Sequence, residues 1–182
     1  AFERGIEKMV CLGSASSYPA SAAIPLREEY LFAGLPEQTR VAHGIAKRLP
    51  LVQAQAYRQQ NGFHCLFLIP TNFYGPADNM NPQTSYVIPS LIRQFANAAE
   101  AHSREVVLRG KGRATRDFLH VEDCAEGILL ALEKYNGAEA VNLGSGTEVV
   151  IHELAQTIAS LSGYTGKIVW DSSFPDGASR RV

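Results

Sequence analysis

At 182 residues, 46% of them hydrophobic, the chain can bury one sizeable core, or one and a half small ones. A formal net charge of −1 and a pI of 6.6 exclude the basic surface that nucleic acid or an anionic membrane would require. No apolar run approaches the ~18 residues of a membrane span and no signal peptide opens the chain, which points to a cytoplasmic protein.

Residues 1–8 read as the tail of a helix. Met9 to Leu12 reads as a strand (KMVCLGSASSYP) that ends in Gly13, Ser14, Ala15, Ser16 and Ser17. Hydroxyls at such a place commonly tie up loop amides; beyond the carboxyl end of a parallel strand they also face ligands. Leu35 to Gly62 reads as one long amphipathic helix, with Val41, Ile45, Leu49, Val52 and Ala56 recurring at helical spacing as its buried stripe. His43 and Lys47, four residues apart, then share the opposite face. They are either solvated or lean over a common site. Pro50 removes an N–H inside this helix and predicts a kink.

Phe63 to Ile69 reads as a buried strand breaking into the loop PTNFYGP, where turn chemistry alone explains Pro70, Asn72, Gly75 and Pro76. Glu105 to Arg116 (EVVLRGKGRATR) gives a short strand and a basic turn. In DFLHVEDCAEGILLALEKY, a strand and helix, Asp123 and Glu126 have capping-box spacing. The stretch NLGSGTEVVIHELAQ offers Gly144 and Gly146 between strand and helix but has Val149 in place of a third glycine, so it makes a poor dinucleotide turn. Strand Ala140 to Leu143, helix Ile151 to Ser162 and strand Lys167 to Trp170 complete the elements. Cys11, Cys65 and Cys124 suit reduced, buried thiols; no ligand spacing implies a metal, and His64, His102, His120 and His152 read as structural.

Taken together, GSASSYP, HGIAK, PTNFYGP and RDFLHVEDCAEGI resemble the extended short-chain dehydrogenase/reductase family. The phrases IPTNFYGPADNMNPQTSYVIPSLIRQF and SSFPDGASR are most similar to its GDP-L-fucose synthase branch, and the likeness covers nearly the whole chain. The resemblance implies an α/β fold: the distal half of a Rossmann-type doubly wound parallel sheet plus part of a smaller substrate-binding domain. Residues 1–75 and 117–145 would belong to the dinucleotide-binding domain, and residues 76–116 and 146–182 to the substrate domain. It further implies truncation at both ends, with roughly 100 residues ahead of Ala1 that carry the glycine-rich pyrophosphate turn.

The parent chemistry is epimerisation of GDP-4-keto-6-deoxymannose followed by NADPH-dependent reduction. Ser14 matches the catalytic serine, and Ser16 stands where the epimerising enzymes carry a cysteine base. The signature Tyr-x-x-x-Lys is here His43-Gly-Ile-Ala-Lys47, so the lysine that holds the nicotinamide ribose is kept and the phenol is not. Pro70, Asn72 and Phe73 would line the nicotinamide and sugar pocket. Tyr86 occupies the place of a second acid-base residue, a histidine, with Val87 beside it. Gln94 replaces an arginine that faces the nucleotide diphosphate, Arg109 replaces a tryptophan, and Arg116 matches an arginine that binds the pyrophosphate. The family's cofactor is NADP(H), which this chain alone is not expected to bind tightly. The partner implied is a GDP-sugar nucleotide, and a homodimer or self-association is expected. Three functions stay open: a fragment or homologue of a sugar-nucleotide epimerase-reductase, inactive as given, a non-catalytic nucleotide-sugar-binding or scaffold protein, and another epimerase or dehydratase of the superfamily.

Overall fold

The computed structural model describes residues 1–174, 180 and 181, which form two compact units, residues 1–73 with 119–146 and residues 74–118 with 147–182. In chain order the elements are β1 (Lys8–Leu12), α1 (Val41–Asn61), β2 (His64–Pro70), β3 (Asn72–Tyr74), α2 (Val87–Glu100), β4 (Glu105–Arg109), β5 (Thr115–His120), α3 (Val121–Lys134), β6 (Ala140–Leu143), β7 (Glu148–Val150), α4 (Ile151–Leu161), β8 (Lys167–Asp171) and β9 (Arg180–Arg181). The SSFPDGASR stretch used for the resemblance falls partly on residues 175–179, outside the described residues.

The first unit is built on a parallel sheet of order β1-β2-β6, with Met9 opposite Cys65, Leu12 opposite Leu68 and Phe67 opposite Ala140. Six of the seven residues of β2 are buried, as a central strand covered on both faces requires. On one face Cys65, Phe67 and Ile69 meet Leu51 and Ala54 of α1 together with Tyr18 and Leu31. On the other, alternation points Leu66 and Leu68 the opposite way, and α3 packs against β1 and β2.

Several expectations are corrected here. Residues 1–8 are not a helix tail: Phe2–Arg4 is a single 3-10 turn closed by Gly5 at φ +71°. The long helix begins at Val41 because Pro36 disfavours helical geometry at Leu35 and because Pro36 bridges to Pro19; a 3-10 turn at Gln38–Arg40 precedes it. Pro50 lies inside α1, which continues past it to Asn61, a fact about the length of the helix and not about the expected kink; the carbonyl that loses its partner belongs to Ala46, an exposed residue. The buried face of α1 is Gly44, Arg48, Leu51 and Ala54, while Ile45, Leu49 and Val52 of the expected stripe are 43%, 56% and 48% exposed. The helix is rotated from the hydrophobic reading because its N-terminal half approaches loop backbone, where a glycine fits and a leucine does not.

α3 is capped by His120, whose Nδ1 accepts from the Glu122 N–H at 3.4 Å; Asp123 and Glu126 lie within the helix and form no capping box. The three cysteines are free, and two of them are neighbours: Cys11 and Cys65 sulfurs lie 3.6 Å apart. Burial and that neighbour push the Cys65 thiol up to about 12, which keeps it protonated.

In the second unit α2 and α4 close over the parallel pair β4 and β8. Ile88, Leu91, Phe95, Val106, Leu108 and Ile158 form its core. β7 pairs antiparallel with β5 and leads directly into α4. The first N–H groups of α4 are already taken, with Ile151 donating to Ala114 O and His152 to Gly112 O. No helix among the described residues is long and apolar enough to cross a membrane, and no cluster of metal-ligating side chains occurs among them.

Candidate active site

The carboxyl end of β1 runs into a 3-10 turn, Ala15–Ser17, with Ser14 as its N-cap. The Ser14 Oγ accepts from the Ser16 N–H at 3.2 Å, so the loop-amide role foreseen for these hydroxyls is real. It leaves the hydroxyl proton free to donate to a ligand oxygen. Ser14 and Ser16 are half-buried, whereas Ser17 is fully buried with no partner for its Oγ among the described residues.

α1 is registered onto this turn at three backbone positions. Lys47 Nζ donates to Leu12 O at 3.3 Å. Gly44 lies so close that a Cβ there would stand 2.8 Å from Ser16 O and 2.7 Å from the Pro36 ring. Arg48 donates from Nε and Nη2 to Ser17 O at 2.7 and 2.5 Å, and from Nη1 to Gly34 O at 2.8 Å. His43, one residue before Gly44, is exposed, and Lys47 is half-buried. The turn, the lysine and the imidazole thus belong to one rigid corner of the first unit. Pro70 is buried at the end of β2, and Asn72 and Phe73 are exposed on β3, the strand that follows.

The segment between the serine turn and α1 is tied back to the sheet by Asn142 on β6. Its Oδ1 accepts from Tyr18 Oη at 2.6 Å, its N–H donates to Glu28 Oε1 at 2.7 Å, and its Nδ2 donates to Leu26 O at 3.0 Å. Burial first, and the Glu28 charge beside it, hold the Tyr18 phenol at about 12 against the opposing pull of the Asn142 bond. Tyr18 is therefore a neutral hydrogen-bond donor. Neither Asn142 nor Arg48 stood out in the sequence. An asparagine in a strand near its carboxyl end was the available sign for the first; nothing marked the second.

The remaining candidates lie in the second unit. Tyr86 is the N-cap residue of α2, 69% exposed and without a side-chain capping bond, and Val87 opens the helix half-buried. Gln94 turns back on its own helix, its Nε2 donating to Ser90 O and Oγ at 3.2 and 3.1 Å. Beside it Arg93 has a buried Nε with no partner among the described residues. Arg109, exposed at the end of β4, has its guanidinium 4.7 Å from the Phe174 ring centroid. Arg116 is half-buried on β5 and donates to Thr115 O at 2.6 Å. Next to it, Glu148 accepts both forks of Arg180 at 2.6 Å and the Thr115 hydroxyl at 2.5 Å.

An ammonium set at the mouth of a parallel strand, beside a hydroxyl with a free proton, fits the ribose and nicotinamide end of a dinucleotide. For the pyrophosphate, the described residues contain no glycine-rich turn from strand to helix: Gly144 and Gly146 lead from β6 into β7, not into a helix N-terminus.

The profile of the NAD dependent epimerase/dehydratase family matches residues 1–144. Probable GDP-L-fucose synthase 1 of Oryza sativa subsp. japonica is 44% identical over 177 residues, 97% of this chain and 54% of that protein. GDP-L-fucose synthase of Escherichia coli (strain K12) is 37% identical over 100% of this chain and 60% of its own length. A GDP-L-fucose synthetase from Naegleria fowleri bound to NADP superposes with a TM-score of 0.91 at 30% identity, over 99% of this chain and 58% of that one. The chain thus spans about half the length of the curated relatives it matches.

Proposed function

The chain belongs to the NAD dependent epimerase/dehydratase family, and from that premise we propose that it is the acid-base and substrate-holding portion of a GDP-sugar epimerase-reductase of the GDP-L-fucose synthase type. The observation that carries this is the corner of the first unit: Lys47 anchored on Leu12 O, one helical turn from His43, with α1 pressed against the serine turn. NADP(H), when bound, supplies the hydride. Lys47 holds the ribose hydroxyls, and Ser14 donates a hydrogen bond to the sugar oxygen being reduced, keeping its proton. His43 gives that oxygen its proton, in the place of the family's tyrosine. An imidazole is shorter than a phenol, so a shift of the helix or a bridging water has to close the distance. Pro70, Asn72 and Phe73 line the pocket.

Epimerisation at a carbon beside a ketone needs a base and an acid. Ser16 and Tyr86 stand at those places, and neither a serine hydroxyl nor a phenol is a strong base at neutral pH. The protein is therefore better equipped for reduction than for epimerisation. Arg116, Arg109, Gln94 and Val87 hold the nucleotide diphosphate side.

The test is single-turnover reduction of GDP-4-keto-6-deoxymannose by NADPH in the protein at its natural length, with solvent deuterium uptake scored separately. Reduction that is abolished by Lys47→Met, with deuterium uptake near background, is expected. Binding of the GDP-sugar with no turnover under any condition favours the second reading, a non-catalytic nucleotide-sugar binder. The loss of the tyrosine and of the cysteine base speaks for that reading.

A further inference from the structure

The sequence draws attention to His43 and Lys47, yet the best-held side chain of α1 is the next residue. Arg48 is 6% exposed and has no carboxylate partner among the described residues. All three of its hydrogen bonds go to main-chain carbonyls, two to Ser17 O and one to Gly34 O, and its guanidinium lies 5.7 Å from the Phe32 ring centroid. Burying a cation without a counter-charge is costly, and a leucine would fill this face more cheaply. Burial lowers the Arg48 pKa, the direction that cost predicts. What the guanidinium gives in return is geometry. Its planar fork fixes two loops against one helix, which neither a lysine nor an apolar side chain can reproduce.

We propose that Arg48 is a positioning residue, which sets the distance from Ser14 to the His43 and Lys47 face of α1. Ser17 O is the last carbonyl of the turn that Ser14 caps. Lys47 meets the chain before this turn, at Leu12 O, with one bond, and Gly44 meets Ser16 O by contact alone. Arg48 supplies the directional bonds that stop the turn from rotating, and its Nη1 bond to Gly34 O pins the segment that leads into α1 at the same point. The hydroxyl that donates to the sugar oxygen is then held without a direct contact between Arg48 and the reactants. The inference rests on the reductase reading for what is positioned, but the hold itself is measurable without catalysis.

The experiment compares wild type with Arg48→Met, Arg48→Lys and Arg48→Ala by two readouts. First, amide exchange in the chain is followed at Ser16, Ser17 and Tyr18, whose N–H groups donate to Ser14 Oγ, Ser14 O and Ala15 O. In Arg48→Met these three amides are expected to exchange at least 10-fold faster while those of α2 and α4 keep their wild-type rates; Arg48→Lys falls between. Second, in the protein at its natural length, Arg48→Met lowers kcat by about 10- to 100-fold with KM for the GDP-sugar within about threefold, and ethylguanidinium restores part of kcat to Arg48→Ala. Exchange at the three amides within twofold of wild type, acceleration spread equally over both units, or an unchanged kcat despite a loosened turn each overturns the proposal. If the wild-type protein turns nothing over, the reductase reading falls, and the exchange data still decide whether Arg48 holds the turn.

Discussion

Gly44→Ala isolates the close approach of α1 to the serine turn. Inside a helix the substitution alone should stabilise by about 1 kcal/mol, because alanine is the better helix former. At this site the new methyl group would lie 2.7 Å from Cβ and Cγ of Pro36 and 2.8 Å from Ser16 O, where ordinary contact begins at 3.4 Å. Relief needs a shift of about 0.6–0.7 Å by a backbone carbonyl and a rigid ring, neither of which can swing away as a flexible side-chain end can; overpacking of this kind costs about 1–3 kcal/mol. Set against the propensity gain, the steric cost leaves a net loss of up to about 2 kcal/mol. Gly127→Ala in α3 is the matched control, since the nearest atoms to its new methyl group are the flexible end of Leu143, at 2.6 Å, and the propensity gain should cancel most of the cost. Urea unfolding followed by far-ultraviolet circular dichroism should show the Gly44→Ala transition lowered by up to roughly 1 M at unchanged slope. Fluorescence of Trp170, the sole tryptophan, reports the second unit and should not move. A Gly44→Ala protein as stable as wild type, or less affected than Gly127→Ala, refutes the close-approach reasoning.

Restoring the phenol by His43→Tyr in the protein at its natural length should raise the reduction step by roughly 10²- to 10⁴-fold, the usual worth of a general acid; equal rates with and without it would make the imidazole a competent acid. Hydrogen bonds from Arg180 first, then from Thr115, hold the Glu148 carboxyl at about 2. This depressed value means that its contribution to stability is complete above the ordinary carboxylate value of 4.5 and is lost as pH falls towards 2. Arg180→Gln should bring the Glu148 midpoint back up in a carbon-detected NMR titration, and an unmoved midpoint would show that Arg180 is not the cause. With their thiols pushed up by burial, Cys65 and Cys124 should stay unalkylated by iodoacetamide at neutral pH until the protein is denatured, as read by peptide mass. Prompt labelling of either in the native state would contradict that.

The strands were legible because continuous apolar runs such as Cys65 to Ile69 suit a position buried on both faces. The orientation of α1 was not. Periodicity reports that a helix has an apolar face, but Ile45, Leu49 and Val52 are exposed, and the packed face carries a glycine and an arginine, residues that no hydropathy pattern assigns to a core. Their role depends on a carbonyl far away in sequence. For the same reason Asp123 read as a cap, whereas the capping residue is His120, the last of β5: which residue caps depends on the turn at which the strand ends, and that is a backbone fact. Ser14 and Lys47 could be singled out through resemblance, since neither composition nor spacing separates a catalytic hydroxyl from one that caps its own turn.

The first unit is discontinuous: residues 1–73 make β1, α1 and β2, and β6 arrives only with residues 119–146. During synthesis β2 must therefore wait, its far edge unpaired, while residues 71–139 are made. At ~5–20 residues per second that interval lasts roughly 3–14 s. Tyr18, Leu26 and Glu28 wait as well, because their common partner is Asn142. On the ribosome, then, the serine turn forms against α1 first, and the segment that covers it is fastened only after a whole run of the other unit has emerged.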